Sequence, residues 1–262
     1  NEAKKSGEFN LFTTRAVHNV LQFNSTDPTS IWSDKKVRQA LEYAIDKEAI
    51  AKALGHGFLL PVYEVIHSVN NFGSGPGTTP RKYDPEKARQ LLKEAGVPNG
   101  IKVKYSYTAG RGVGPDMAVA VQAMLADVGI EVVPNPLAGA VMNQLSFEPP
   151  PPNMLLATGQ RGGPGEFLPG IGSAFGEGTI YFPGMKKADG FNELLRKVMQ
   201  LEDSNKQLDL IYEMERLAYE DCTLVAITES IFVTLQNPRV QDAIWFWAGA
   251  PHPYIEEAWL KK

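Results

Sequence analysis

Two glycine-rich segments hold the residues of this sequence that are best suited to contact a ligand. The first, at 159–167, reads GQRGGPGEF, and the second, at 110–114, reads GRGVG. Glycine lets a backbone approach a ligand closely and leaves its N–H groups open to hydrogen bonding. Arg161 carries forked donors that suit a carboxylate, and Gln160 adds an amide beside it. We therefore predict that Gln160 and Arg161 line a pocket.

The segment at 110–114 lies between a predicted strand and a predicted helix, where a dinucleotide-binding fingerprint would lie. The third glycine of G-x-G-x-x-G would fall at Pro115, so the spacing argues against nucleotide binding. The N-terminus of the following helix could still attract an anion beside Arg111. For both segments the alternative is a surface loop whose polar groups contact only water.

Residue types that serve catalysis or metal binding are present but scattered. The four histidines form no i, i+4 pair and no HExxH-like arrangement: His18, His56, His67 and His252. Ser74 and Ser173 lack the G-x-S-x-G elbow, and the single cysteine, Cys222, has apolar neighbours that predict burial. We predict no catalytic residue, no metal site and no cofactor. A hydrolase whose triad is dispersed over distant loops stays open as an alternative.

Length and composition describe an ordinary globular chain. Its 262 residues are 43% hydrophobic and 21% charged, and no run of about 18 apolar residues exists to cross a bilayer. The net charge of −4 and the absence of a Lys/Arg cluster argue against a nucleic-acid partner. We therefore predict neither an integral membrane protein nor a nucleic-acid-binding protein.

A pair of short helices is predicted at 34–54, which reads DKKVRQALEYAIDKEAIAKAL. Apolar side chains recur on one helix face, at i, i+4, i+7 and i+8: Val37, Leu41, Ala44 and Ile45. Asp46 interrupts the pattern, and its carboxylate can cap a second helix that turns Ile50 and Leu54 inward.

A further helix is predicted to begin at Asp84 and Pro85, which fit the N-cap and the first helical position, and to end at Gly96. Residues 101–107 alternate between apolar and polar, which is typical of a half-buried strand. A helical pattern and a second strand at 130–133 follow. Strand, helix and strand in this order predict a parallel βαβ unit.

Shorter patterns predict strands at 17–23, 154–157 and 224–235. The stretches 56–80 and 159–178 are rich in glycine and are predicted as loops or turns.

Helical patterns continue in the last third of the chain. A short helix is predicted around 141–145, and two longer ones carry apolar faces at 191–198 and 210–218. Ser204 or Asn205 is the predicted N-cap of the last helix.

Four stretches of the chain together resemble the family 5 extracellular solute-binding proteins. These proteins serve ABC importers of oligopeptides, dipeptides, nickel chelates and some sugars. The stretches are VRQALEYAIDKEAI, YDPEKARQLLKEAG, LQFNSTDPTSIWSDKKVRQAL and YEMERLAYEDCTLVAITES. The match runs over essentially the whole chain.

The resemblance implies an α/β fold: a periplasmic-binding-protein type II-like lobe with a mixed sheet and flanking helices. It implies that the chain is the C-terminal portion of such a protein. Residues 1–239 would form the large C-terminal lobe, and 240–262 a tail that returns to an N-terminal lobe outside this chain. A signal sequence, and often a lipid-anchored cysteine, precede this region in the family, so membrane anchoring is an open expectation.

The function implied is that of a substrate-binding component of an ABC importer, not that of an enzyme. It would bind a small polar or anionic solute, such as a peptide or a chelate, in an interlobe cleft. The location implied is the periplasm or the cell exterior, with an ABC permease as the partner, and we expect a monomer. A ligand sensor that uses the same fold is a further alternative.

The resemblance also assigns site residues. In peptide-binding members the stretch matching 159–167 has a tryptophan, an aspartate that takes the ligand's α-ammonium, and then proline and phenylalanine. Here Pro164 and Phe167 match, while Gln160 replaces the tryptophan and Gly162 or Gly163 replaces the aspartate. Binding of a free peptide amino terminus is therefore in doubt.

Some dipeptide binders place a carboxylate-binding arginine in the loop where Arg111 lies a few residues out of register. The two arginines favour an anionic or neutral polar ligand. The predicted ligand-binding residues are Arg161, Gln160, Gly163, Arg111 and Phe167.

Overall fold

The chain is described by a computed structural model over residues 7–66, 79–110, 112, 114–161, 167–177, 183–242, 244–247, 250–253 and 258–261. Its centre is a mixed sheet of six strands: β1 (Asn10–Gln22), β2 (Leu59–Pro61), β3 (Ile101–Thr108), β4 (Ile130–Leu137), β5 (Met154–Arg161) and β6 (Val225–Gln236). Their order is β2-β6-β1-β5-β3-β4. β1 is antiparallel to β5 and β6, whereas β3 is parallel to β4 and β5.

Helices cover both faces of this sheet. They are α1 (Lys35–Ala44), α2 (Lys47–Gly55), α3 (Pro85–Glu94), α4 (Gly114–Asp127), α5 (Gly139–Leu145), α6 (Phe167–Phe175), α7 (Phe191–Gln200) and α8 (Ser204–Asp221). Four short strands near the C-terminus, β7 (Val240–Gln241), β8 (Ile244–Trp247), β9 (Ala250–Pro253) and β10 (Trp259–Leu260), pair as β7 with β10 and β8 with β9. No helix in the described part of the chain is long and apolar enough to span a bilayer.

Strand alternation divides the core between the two faces. Leu21 packs in a cluster with side chains of α1 to α4, and its neighbour Val20 packs in a second cluster with side chains of α6 to α8. Successive strand residues point to opposite faces, so one strand supplies both clusters. The fold class predicted from the resemblance, a mixed sheet with flanking helices, is confirmed.

The predicted helix pair is confirmed as α1 and α2. The Asp34 carboxylate accepts a hydrogen bond from the Lys36 N–H at 2.7 Å, and the Asp46 carboxylate accepts one from the Ala49 N–H at 2.8 Å. Each cap satisfies a backbone N–H that has no partner within its helix. Val37, Leu41, Ala44, Ile45 and Ile50 are buried in the core, with Leu54 packed against it.

The βαβ unit and its preceding helix are also confirmed. β3 and β4 pair in parallel over eight residue pairs from Ile101 with Ile130 to Thr108 with Leu137, and α4 connects them. Asp84 caps α3 by accepting from the Lys87 N–H at 2.9 Å, with Pro85 at the first position.

Three predicted boundaries are wrong. The strand predicted at 17–23 begins at Asn10, because the residues before Val17 pair with β6, a strand more than 200 residues away. A short strand, β2, lies inside the loop predicted at 56–80, of which 67–78 is outside the described residues. The N-cap of α8 is Asp203, which accepts from two backbone N–H groups, and not Ser204 or Asn205.

The loop predicted at 159–178 is wrong in two places. β5 continues to Arg161, and α6 occupies Phe167–Phe175. Gly159 serves a close approach and not a turn, because a Cβ added there would lie 2.7 Å from Val17 Cγ1 on β1. Pro169 is the third residue of α6. Proline is tolerated in the first turn because backbone N–H groups there have no hydrogen-bond partner within the helix.

Candidate functional site

A groove opens where β5 separates from β3. The two strands pair only from Lys104 with Met154 to Ser106 with Leu156, although β3 continues to Thr108 and β5 to Arg161. The groove has a volume of about 710 Å³, a size typical of small-ligand sites. Its main polar or aromatic lining residues are Asn19, Phe58, Tyr105, Tyr107, Thr108, Asn143, Ser146, Phe147, Ser230 and Phe232.

One wall of the groove is the strand edge that β5 leaves open beside β3. Ala157, Thr158 and Gly159 all line the groove, and among the described strands β5 pairs there with β1 alone, on its other side. Consecutive residues of a strand direct their N–H and C=O groups to alternate sides. The edge therefore presents backbone donors and acceptors to anything bound in the groove.

The β1 and β6 wall is organised by Asn19. Its side-chain Nδ2 lies 3.0 Å from Thr228 Oγ1 and 3.1 Å from Ser230 Oγ, both on β6. Because the amide hydrogens are directed at β6, the Asn19 Oδ1 atom remains as an acceptor. The wall thus carries a fixed polar group among apolar neighbours such as Val17 and Phe232.

Two tyrosines of β3 form the opposite wall. The rings of Tyr105 and Tyr107 lie with their centroids 6.0 Å apart and tilted. Tyr105 is fully buried, and its hydroxyl has no hydrogen-bond partner among the described residues. Burial raises the pKa of Tyr105, so the phenol stays protonated and can donate a hydrogen bond.

Charged side chains of the central strands lie outside this groove. Arg15 and His18 of β1 lie close to the fully buried Glu229 of β6, with His18 Nε2 3.9 Å from Glu229 Oε1. None of these three residues lines the groove. Among the residues that the structure describes, the groove lining contains no Asp, Glu, Lys, Arg or His.

None of the predicted ligand-binding residues is among the lining residues of this groove that the structure describes. Gln160 and Arg161 are the last residues of β5, paired with His18 and Val17, and Phe167 is the first residue of α6. Arg111 and Gly163 lie outside the described residues. Gly112, which follows Arg111, and Gly159, which precedes Gln160, do line the groove. Whether the five residues contact a ligand stays a prediction.

The groove residues that the sequence did not reveal are Asn19, Tyr107, Ser230 and Phe232. Each belongs to a strand that the sequence predicted from alternation or from an apolar run, so the sheet face on which each residue lies could be inferred. Their meeting depends on β1 lying between β5 and β6, which local patterns do not encode.

The described residues form neither a metal site nor an activated nucleophile. Within those ranges, no group of three or more His, Cys, Asp or Glu is placed to hold a metal ion. Burial raises the pKa of Cys222 to about 12, which keeps the thiol protonated and unreactive. The prediction that Cys222 is buried is confirmed.

Comparison with known proteins identifies a matching family model and related binding proteins. Residues 1–168 match the family model described as "Bacterial extracellular solute-binding proteins, family 5 Middle". The dipeptide-binding protein of Escherichia coli (strain K12) is 29% identical over 204 residues, which cover 75% of this chain and 38% of that protein. The heme-binding protein A of Haemophilus influenzae is 27% identical over 218 residues, covering 80% of this chain and 39% of that protein.

A solved structure shares the fold over the whole chain. The oligopeptide-binding protein AppA from Bacillus subtilis, solved with a nonapeptide, superposes with a TM-score of 0.81 at 19% identity. The match covers 100% of this chain and 54% of that one. The chain therefore spans about half the length of this neighbour, and less than two-fifths of the two curated relatives. Because the family model matches 168 of its 262 residues, this chain belongs to the bacterial extracellular solute-binding proteins of family 5.

Proposed function

We propose that this chain is the ligand-contacting lobe of a substrate-binding component of an ABC importer. The groove between β3 and β5 would be its half of an interlobe cleft. Residues 1–239 would form the large C-terminal lobe, with 240–262 returning to the other lobe. Closure of two lobes on the solute would then produce the form that docks on an ABC permease.

The open edge of β5 carries this proposal. An extended ligand can add to a free strand edge by backbone hydrogen bonds while its side chains enter neighbouring pockets. Ala157 to Gly159 present such an edge inside a groove that also holds aromatic rings. A peptide-like solute fits this geometry, and the dipeptide-binding relative supports the same ligand class.

Location and partners follow from the same proposal. A family of extracellular solute-binding proteins acts in the periplasm or at the cell exterior, with a membrane permease as the receiving partner. We propose a monomer that binds no nucleic acid, in keeping with the net charge of −4. A lipid anchor ahead of this region is part of the proposal. The family is one of binding proteins, which argues against the hydrolase alternative.

A thermal-shift screen of the natural protein that carries this chain tests the function. The panel should contain free and blocked di- to pentapeptides, metal chelates, opines and heme. A ligand at about 100 times its Kd stabilises the folded state by about 2.7 kcal/mol, which gives a clear rise in melting temperature. If no member of the panel raises the melting temperature, the proposed function is wrong.

A matched pair of variants places the binding in the groove. Phe232→Ala removes a ring that lines it, and Leu235→Ala removes an apolar side chain of the same strand that is exposed outside it. We expect the first to weaken the binding of the solute found in the screen, and the second to leave it unchanged. Equal affinities in the two variants would contradict the assignment of the groove.

A further inference from the structure

The groove carries no formal charge on any lining residue that the structure describes, although charged residues lie on the same strands. On β1 and β6, Arg15, His18 and Glu229 lie against one another outside the groove. At the opposite end of β3, the Lys102 ammonium pairs with the Glu131 carboxylate of β4 at 2.6 Å. These charged groups are thus occupied elsewhere, and the lining described above offers a ligand no counter-charge.

A charged ligand would enter such a groove at a disadvantage. A carboxylate or an ammonium group gives up its hydration when it is buried, and this loss is recovered only through an opposite charge or several hydrogen bonds. The phenyl rings of Phe58 and Phe232 carry no formal charge and no hydrogen-bonding group. The lining that the structure describes can therefore compensate a buried charge only by hydrogen bonds and not by an opposite charge.

A neutral amide-containing ligand finds complementary groups on three sides. The open edge of β5 supplies backbone donors and acceptors, and Asn19 Oδ1 supplies an acceptor fixed by the contacts of Nδ2 with β6. The buried Tyr105 hydroxyl, which lines the groove and has no hydrogen-bond partner among the described residues, supplies a donor. An unpaired polar atom in a buried position is costly unless a ligand pairs with it.

We propose that the solute bound in this groove is uncharged, and specifically a peptide-like molecule whose termini are blocked or joined. A free zwitterionic peptide and a small anion are both disfavoured. This inference rests on the proposed function, because it names the ligand class of the same groove. It replaces the anionic option of the sequence-based prediction with the neutral one.

Four probes with the same side chains test the inference by titration calorimetry on the natural protein that carries this chain. They are N-acetyl-Ala-Phe-Ala-amide, which is neutral, Ala-Phe-Ala-amide, a cation, N-acetyl-Ala-Phe-Ala, an anion, and the zwitterion Ala-Phe-Ala. We expect the neutral probe to bind at least about tenfold more tightly than any of the other three.

The outcomes separate the inference from the function on which it rests. Tighter binding of any charged probe overturns the inference and leaves the proposed function intact. The inference is likewise overturned if none of the four probes binds while another solute in the screen raises the melting temperature. If no solute of any class binds, the proposed function itself is overturned.

A charge placed in the groove gives an independent test. Asn19→Asp keeps the side-chain shape but adds a carboxylate beside Ser230, so affinity for the neutral probe should fall about tenfold while affinity for the cationic probe rises. Ser230→Asp should act in the same direction if the first variant folds poorly, as judged by its melting temperature. A folded variant in which the ratio of neutral to cationic probe affinity does not fall would refute the inference.

Discussion

Gly159 is the position where the geometry makes the sharpest stability prediction. It lies in β5 opposite Asn19 of β1, and a Cβ added to it would lie 2.7 Å from Val17 Cγ1. Carbon atoms in good contact lie about 3.5 to 4.0 Å apart, so Gly159→Ala must displace one of the two groups by about 1 Å. Val17 is β-branched and has little freedom to rotate away.

Overpacking of this kind costs about 1 to 3 kcal/mol of unfolding free energy. We expect Gly159→Ala to fall in that range, and Val17→Ala in the same chain to recover part of the loss because it removes the overlapping methyl group. The matched control is Gly139→Ala, whose added Cβ would lie 3.9 Å from Thr108 Cγ2, an ordinary contact. That control should be neutral or slightly stabilising.

A double-mutant cycle requires equilibrium urea unfolding of four chains. They are the parent, Gly159→Ala, Val17→Ala and the double variant. We expect a coupling free energy of about 1 kcal/mol or more between positions 17 and 159, since the two residues are in direct contact. The reasoning is refuted if Gly159→Ala lies within about 0.5 kcal/mol of the parent chain, or if the two substitutions prove additive.

Three further variants test other contacts by the same unfolding assay. Lys47→Met leaves the buried Glu42 carboxylate, 2.7 Å from the lost ammonium, without its partner, and should cost about 3 to 5 kcal/mol, with partial recovery on adding Glu42→Gln. Asp84→Ala removes the cap of α3 and should cost about 1 kcal/mol; no loss would contradict the capping role. Burial raises the pKa of Glu215 from its ordinary 4.5 to about 8, so the folded chain keeps a proton that the unfolded chain releases between these values. The unfolding free energy should therefore fall as pH rises from 4.5 to 8, by at most about 5 kcal/mol, and Glu215→Gln should lack this slope.

Local signals in the sequence predicted the elements that local interactions determine. The predicted N-caps Asp46 and Asp84 each accept a hydrogen bond from a backbone N–H three residues away, so their effect is readable within one turn. The same holds for the alternation in β3, because it reflects one buried face.

Elements determined by distant partners were missed or shortened. The first half of β1 has no regular apolar alternation and is a strand because β6 pairs with it from Asn10 to Arg15. β2 is likewise a strand because it pairs with β6. In the 159–178 stretch glycine frequency predicted turns, whereas Gly159 accommodates Val17 and Ile171 and Phe175 anchor a helix in the core. Composition does not distinguish these uses of glycine.

The groove could be anticipated from the sequence only in part, for the same reason. Sequence reasoning pointed to the end of β5, and the groove indeed includes Gly159. It could not supply Asn19, Tyr107 or Ser230, because these meet only through the strand order β6-β1-β5-β3. Side-chain type pointed to Arg111 and Arg161, and whether these two residues contact a ligand stays a prediction; the described lining comes from elements that are far apart in the sequence.

Hydrogen–deuterium exchange of β5 tests the central claim most directly. The claim is that the solute binds against the open edge of Ala157 to Gly159, where amides on the side facing β3 have no strand partner in the described part of the chain. In the natural protein, a saturating amount of the solute found in the screen should slow exchange in this segment by about tenfold or more, while α8 stays unchanged. Protection that appears elsewhere and leaves 157–159 unaffected would contradict the account.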